Sequence, residues 1–282
     1  MSAIVVVRAR QTQQMHTALT IAGSDSGAGA GIQADLKTFA AFGIYGLSAI
    51  TAVTAQNTTR VWTFLAMPVE LVVAQIEAVA SDFAIGAVKT GMLATAEIVT
   101  AVADAVRRHS LAPLVVDPVI VAKSGDRLLS ADALEAVRSR LLPLARVVTP
   151  NRPEAEVLAG LSIANAEDAQ AAAQRIHALG PAAVVIKGGH FEGAELTNLL
   201  FDGERFTTFA TPRIESKNTH GTGCTFASAI AAMLAQGTDL AEAVERATEF
   251  VAGAVAHGLP LGHGHGPLDH FYRGVPGRTA SS

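Results

Sequence analysis

Short apolar runs rich in β-branched residues alternate with helix-periodic stretches along almost the whole chain, and that alternation leaves few folds open. Ala18–Ala22, Gly46–Val53, Ile85–Val88, Leu114–Val116, Val147–Thr149 and Ala183–Ile186 read as strands. Their nearly unbroken apolar character marks strands covered on both faces. Between them come helical patterns. One follows Gly23–Gly31 and runs to about Phe42; another, behind Pro68, repeats Val69, Val72, Val73, Ile76, Val79 and Phe83 at three-to-four spacing. Ser130 is placed to cap a helix carrying Leu134, Val137 and Leu141, and Asp239 with Glu242 reads as a capping box for a helix over 240–257. Val61–Met67 is extended, and Leu196–Phe201 with Arg205–Phe209 forms a hairpin about an Asp202-Gly203 turn. Right-handed βαβ crossovers then give one α/β domain over 17–273, a mostly parallel central sheet with helices on both faces. Aromatics are only 5% of the residues, so Ala, Val, Leu and Ile must build the core, as such a sheet allows.

Several function classes drop out. A net charge of −4 gives no electrostatic basis for binding nucleic acid or an anionic membrane. A single cysteine excludes an intramolecular disulfide and a cysteine-based zinc site. No apolar run reaches the ~20 residues that span a bilayer. Ile4–Val7 is too short for a secretory core and runs directly into Arg8 and Arg10, so the expected location is the cytoplasm. Residues 1–16 read as a loose extension in which Ile4–Val7 has the pattern of an edge strand, and 274–282 read as a tail. The four histidines between His257 and His270 lie in a glycine-rich stretch that reads as a loop rather than a metal site.

The polar residues of interest fall at the carboxyl ends of the strands, where sheets of this kind bind ligands. Gly23–Gly31 follows the first strand. Its alternating glycines do not match the dinucleotide spacing G-x-G-x-x-G, and no Gly-Lys-Ser/Thr follows to make a P-loop. Taken alone it is a turn ahead of a helix. Asp35 and Gln56 each have the chemistry to hydrogen-bond a heterocycle, and each is equally compatible with a solvated element end. Asp117-Pro118 follows the 114–116 run and fits either a metal contact or a turn. In Asn151-Arg152-Pro153-Glu154, Asn and Glu three apart share a helix face; they could orient Mg²⁺-bound water and a triphosphate, or simply cap the helix. Lys187, ahead of Gly188-Gly189, could neutralise phosphate charge.

Asn218-Thr-His-Gly-Thr-Gly-Cys-Thr225 carries the most chemical information. It sets Gly221, Gly223 and Cys224 at the start of a helix running from Thr222 to about Gln236, with Phe226, Ile230, Met233 and Leu234 facing inward. Uncovered N–H groups and roughly half a positive charge at a helix start make a ready phosphate site. A thiol in that field is expected to have a lowered pKa. The alternative is a plain turn with a small core cysteine.

Taken together, these segments resemble the hydroxymethylpyrimidine kinase / hydroxymethylpyrimidine-phosphate kinase family of thiamine biosynthesis, within the ribokinase-like superfamily. The strings that carry the likeness are ALTIAGSDSGAGAGIQADLKTF (18–39), TAVTAQNT (51–58), KTGML (89–93), VVDPV (115–119), AKSGDRLL (122–129), TPNRPEA (149–155), IKGGH (186–190) and KNTHGTGCT (217–225). The resemblance implies a single ribokinase-like domain, usually a homodimer, that uses Mg-ATP to phosphorylate 4-amino-5-hydroxymethyl-2-methylpyrimidine and then its monophosphate. It leaves open whether a monovalent cation assists. It puts Cys224 where ribose-type relatives carry an aspartate base, and makes Gly221, Thr222 and Gly223 the anion hole. Lys187, Asn151, Glu154, Asp117 and Thr219 would handle ATP phosphates, with Glu154 and Asp117 toward the metal. Gly23, Ala30, Asp35, Gln56 and Met92 would line the pyrimidine pocket. The first loop departs from the family in having Gly27-Ala28-Gly29 where many relatives run glycines together. Pyridoxine or pyridoxal kinase is the nearest rival, followed by a non-catalytic pyrimidine sensor and a dinucleotide-binding oxidoreductase.

Overall fold

The computed structural model describes residues 15–120, 129–188 and 195–274. The Ile4–Val7 pattern, most of the 122–129 string, Gly189 and most of the tail lie outside the described residues. The elements in chain order are β1 (Thr17–Asp25), α1 (Gly31–Ala41), β2 (Tyr45–Gln56), β3 (Val61–Ala66), α2 (Val69–Ala80), β4 (Ala87–Thr90), α3 (Ala96–Arg108), β5 (Leu114–Val116) and α4 (Ala131–Ala136). They continue with β6 (Val147–Val148), α5 (Arg152–Ala159), α6 (Ala166–His177), β7 (Val184–Ile186), β8 (Glu195–Phe201), β9 (Phe206–Pro212), α7 (Thr222–Ala235) and α8 (Leu240–Ala256).

The strands form one sheet in the order β3-β2-β1-β4-β5-β6-β7-β8-β9. Pairing is parallel from β2 through β7, and antiparallel at β2–β3, β7–β8 and β8–β9. The chain winds outward from β1 to one side and from β4 to the other. The order therefore switches between β1 and β4, and a crevice opens beyond their carboxyl ends.

Period-two alternation divides each strand between two cores. Leu19, Ile21, Leu114, Val116, Val184 and Ile186 face α2 to α6, while Ala18, Ala87, Val115 and Val185 face α1, α7 and α8. The second layer is packed at alanine density. Ala227, Ala229, Ala231 and Ala232 of α7 are all fully buried, so the helix is enclosed on most sides and not merely along the stripe of Phe226, Ile230 and Met233.

Three local expectations change. The hairpin turn is centred on Gly203 (φ +99°) and Glu204, because Asp202 Oδ1 accepts the N–H groups of Glu204 and Arg205 and so sits before the turn. Ser130 makes no side-chain cap, and its helix stops at Ala136 before a π-turn at Val137–Leu141. Asp239 caps α8 through the Ala241 N–H, two residues on, without the reciprocal half of a capping box.

Close packing of small residues predicts that Ala229→Leu destabilises the fold by about 1–3 kcal/mol. A urea titration should show a lower midpoint with an unchanged slope.

Candidate active site

A cavity of about 740 Å³ occupies the switch-point crevice. Gly23, Ala30, Gln56 and Met92 line one side; Asp117, Asn151, Glu154 and Lys187 line the other; Thr219 through Cys224 run between them. The carboxyl ends of β1, β4, β5, β6 and β7 thus deliver the predicted residues to one space, with one exception, Asp35.

Two glycine segments meet backbone to backbone. Asp25, last in β1, accepts the N–H groups of Gly27 (2.8 Å), Gly29 (3.1 Å) and Ala30 (2.9 Å), which folds the first loop around its carboxylate. Gly221 precedes α7 at φ +85°, and a Cβ there would lie 1.8 Å from the Gly29 carbonyl oxygen. Conformation and space both demand glycine at this position. A Cβ on Gly29 would likewise meet the His220 ring at 2.2 Å. His220 Nε2 lies 2.9 Å from Asp25 Oδ2. Burial works against the Asp25 charge, but His220 and the loop N–H groups outweigh it and hold the carboxyl below its ordinary value.

No side chain caps the first turn of α7, and the Thr222 hydroxyl is turned back onto the Thr219 carbonyl at 2.7 Å. The helix start therefore faces the cavity as an anion site. Gly223 presses against the cation beside it: a Cβ there would be 3.0 Å from Lys187 Nζ. Lys187 donates to Asp117 Oδ1 at 2.8 Å, and the Thr149 hydroxyl lies 3.3 Å from the same oxygen. Burial disfavours the Lys187 charge, yet Asp117 and Glu154 raise its pKa above the usual lysine value.

Asn151 and Glu154 form a reciprocal capping box at α5, the Glu154 N–H donating to Asn151 Oδ1 (3.0 Å) and the Asn151 N–H to Glu154 Oε2 (2.8 Å). The capping reading and the cavity-lining reading hold together. Burial pushes the Glu154 carboxyl up to about 7; Lys187 opposes the rise and the neighbouring Asp117 carboxylate adds to it.

Beneath this floor lies a buried ion pair. Lys89, third in β4, points to the α1–α7 side and donates to both oxygens of Asp35 at 2.9 Å. Thr20 and Ser228 donate to the same carboxylate at 2.6 Å each, and both charged side chains are 0% exposed. Asp35 is therefore behind the cavity wall, contrary to the expectation that it lines the pocket: Lys89, which does reach the wall, stands in front of it. Desolvation opposes the Lys89 charge, but Asp35, with Cys224 and Asp117, outweighs it and raises the pKa.

Cys224 lines the cavity, but its thiol does not have the lowered pKa expected of a helix start. Burial pushes it up to about 11; Lys89 pulls down, Asp35 and Asp117 push up, and the Gly31 N–H gives a small lowering contribution. Desolvation of a thiolate exceeds what a helix start and one paired lysine return. Sequence reasoning assigned no role to Lys89, Asp25 or His220. The available signal for Lys89 was a lysine ending a short strand buried on both faces.

Because the thiolate is the reactive form, alkylation of Cys224 by iodoacetamide should be slow at pH 8 and climb toward a midpoint near 11. A midpoint at or below the ordinary cysteine value would contradict the burial argument.

With the geometry in place, known proteins give its context. A family model for phosphomethylpyrimidine kinase matches residues 25–269. The hydroxymethylpyrimidine/phosphomethylpyrimidine kinase of Rhizobium meliloti is 51% identical over 259 residues, 91% of this chain and 97% of its own length. A thiamine biosynthesis bifunctional protein of Geobacter sulfurreducens is 51% identical over 253 residues, and this chain spans about half, 52%, of that relative. Among solved structures, Bacillus subtilis pyridoxal kinase in its ADP complex superposes with a TM-score of 0.85 at 37% identity, covering 92% of this chain and 99% of that one. Phosphomethylpyrimidine kinase from Clostridium difficile gives 0.76 at 42% identity, covering 85% and 99%.

Proposed function

The chain belongs to the phosphomethylpyrimidine kinase family, and from that premise we infer that it phosphorylates 4-amino-5-hydroxymethyl-2-methylpyrimidine twice with ATP in thiamine biosynthesis. The first transfer goes to the hydroxymethyl oxygen, and the second to the phosphate of the resulting monophosphate. One observation carries the reading: a single cavity joins a glycine loop able to receive a flat ring to an uncapped helix start flanked by Lys187. Phosphoryl transfer needs just such alignment and charge stabilisation, and little covalent help.

In the proposed arrangement the ring lies against Gly23, Ala30, Gln56 and Met92. The γ-phosphoryl group lies on the N–H groups of Gly221, Thr222 and Gly223, and Lys187 neutralises its oxygens. The acceptor oxygen attacks phosphorus as the β–γ bridging bond breaks and ADP leaves, and the alcohol proton passes late to an oxygen of the transferred phosphoryl group. Cys224, protonated at neutral pH by its raised pKa, holds the hydroxyl in line rather than waiting as a thiolate base. The nucleobase takes the apolar end of the cavity at Ile214, Val251 and Val255.

Asp117 and Glu154 fit Mg²⁺. They are hard oxygen donors side by side at the cavity wall, and Mg²⁺ binds through one or two carboxylates with phosphate and water completing its shell. Among the described residues no cluster of three His, Cys, Asp or Glu side chains offers a fuller site. When bound there, the ion would neutralise phosphate charge.

The reading extends to a kinase domain over 17–273 and a cytoplasmic homodimer. The described residues contain no helix long and apolar enough to cross a membrane. Edge strand β3 exposes Trp62, Phe64 and Leu65 (52%, 41% and 71%), a patch suited to a second copy.

The test is a mass-spectrometric product assay with Mg-ATP and three acceptors: the hydroxymethylpyrimidine, its monophosphate and pyridoxine. Mono- and diphosphate products from the pyrimidine are expected. Efficient phosphorylation of pyridoxine alone, without a second transfer, would replace this reading with a vitamin B6 kinase.

A further inference from the structure

Asp25 serves two loops that lie far apart in sequence. Its Oδ1 accepts the Gly27 N–H, and its Oδ2 accepts those of Gly29 and Ala30. His220, in the segment leading into α7, brings Nε2 to 2.9 Å from the same Oδ2. Both side chains are largely enclosed, 3% and 14% exposed. An ionised carboxylate only accepts hydrogen bonds, so Nε2 must carry a proton and donate it to Asp25.

That assignment fixes a second group. The amide nitrogen of Gln56 sits 3.3 Å from His220 Nε2, and its oxygen 3.3 Å from Thr54 Oγ1. A protonated Nε2 cannot face an amide NH₂, because both are donors. The two ends of an amide exchange by a half-turn. Nε2 has one proton, and Asp25 takes it at the shorter distance; turned round, Gln56 sets Oε1 beside that N–H as the longer arm of a shared hydrogen bond and its NH₂ on the Thr54 hydroxyl, whose own proton goes to the Ser24 carbonyl at 3.0 Å.

We propose that His220 is a positioning residue for phosphoryl transfer: through its bond to Asp25, it fastens the ring-binding loop 23–31 to the phosphoryl-binding loop 219–223. The proposal rests on the kinase reading above. Acceptor oxygen and phosphorus must be held about 3–3.5 Å apart and in line, yet ring and phosphoryl group sit on different loops. The Gly29–Gly221 backbone contact sets only a lower limit on their separation, since contact resists approach and not parting. The Asp25–His220 bond supplies the opposing restraint. Its orientation of Gln56 also leaves the NH₂ as the amide group turned away from the imidazole, toward Thr54.

The test compares wild type with His220→Phe, which keeps a ring without a donor, and His220→Gln, whose amide NH₂ reaches about as far as Nε2. Asp25→Asn and the double variant Asp25→Asn/His220→Phe complete a cycle. Measured are kcat, KM for pyrimidine and for ATP, ADP formed per pyrimidine phosphorylated, and thermal unfolding. We expect His220→Phe to lower kcat about 100-fold, the scale of an ångström of misplacement, with KM for ATP within about twofold. ADP should then outrun phosphorylated pyrimidine. His220→Gln should recover to within about tenfold of wild type, and the double variant should be no worse than its poorer parent. A kcat for His220→Phe within about threefold of wild type overturns the role. So does a loss matched by lost folded protein with transfer still one to one, or additive effects in the cycle. A wild-type protein that phosphorylates no acceptor overturns the kinase reading, and this role with it.

Discussion

The site depends on a backbone contact that no side chain could make. The Gly29 carbonyl occupies the place where a Cβ on residue 221 would be, 1.8 Å from it, so the ring-binding loop and the start of α7 share one wall. Every other feature of the cavity is arranged around that contact. Asp25 holds one loop in shape from inside, His220 reaches it from the other, and α7 meets the crevice with no side chain bonded to its first turn, because glycine precedes it. The enclosure of α7 by alanines keeps its first turn in place: a helix packed on most sides cannot slide along its axis without opening the core.

Charge is managed in two tiers. At the surface of the cavity, Lys187 faces Asp117 and Glu154, leaving more carboxylate than cation. Burial is the main reason the Glu154 pKa is raised, and the Asp117 carboxylate adds to it, which leaves a place for positive charge. One layer below, Lys89 and Asp35 pair completely, with Thr20 and Ser228 satisfying the carboxylate. A paired, fully bonded buried charge is tolerable where a lone one is not. Removing either partner would leave an unpaired charge under Cys224, so the lower tier conditions the upper one, with Lys89 alone of the pair reaching the cavity wall.

Much of this was legible in the sequence because apolar runs and glycine positions report backbone constraints directly. The six strand runs fall on the parallel core of the sheet; Gly221 falls where backbone approaches too closely for a Cβ, and Gly223 where a Cβ would crowd the Lys187 ammonium. Asp35 misled because the likeness of its string put it in the pocket, and a string does not show which way α1 turns a side chain; Lys89, 54 residues on, decides that. Cys224 misled because the helix field is local and readable, whereas burial, which reverses the sign, depends on the whole fold. The Asp25–His220 tie joins residues 195 positions apart, and no local pattern encodes it.

The central claim is that the N-terminus of α7, with Lys187 beside it, receives the transferring phosphoryl group. The most direct measurement is a crystal structure with ADP, aluminium fluoride, Mg²⁺ and the hydroxymethylpyrimidine as a transition-state mimic. The account predicts fluoride within about 2.7–3.1 Å of the N–H groups of residues 221–223, Lys187 at its edge, and the hydroxymethyl oxygen on the opposite side in line with the ADP oxygen. Fluoride bound away from α7, or a ring outside the 23–31 loop, would contradict it.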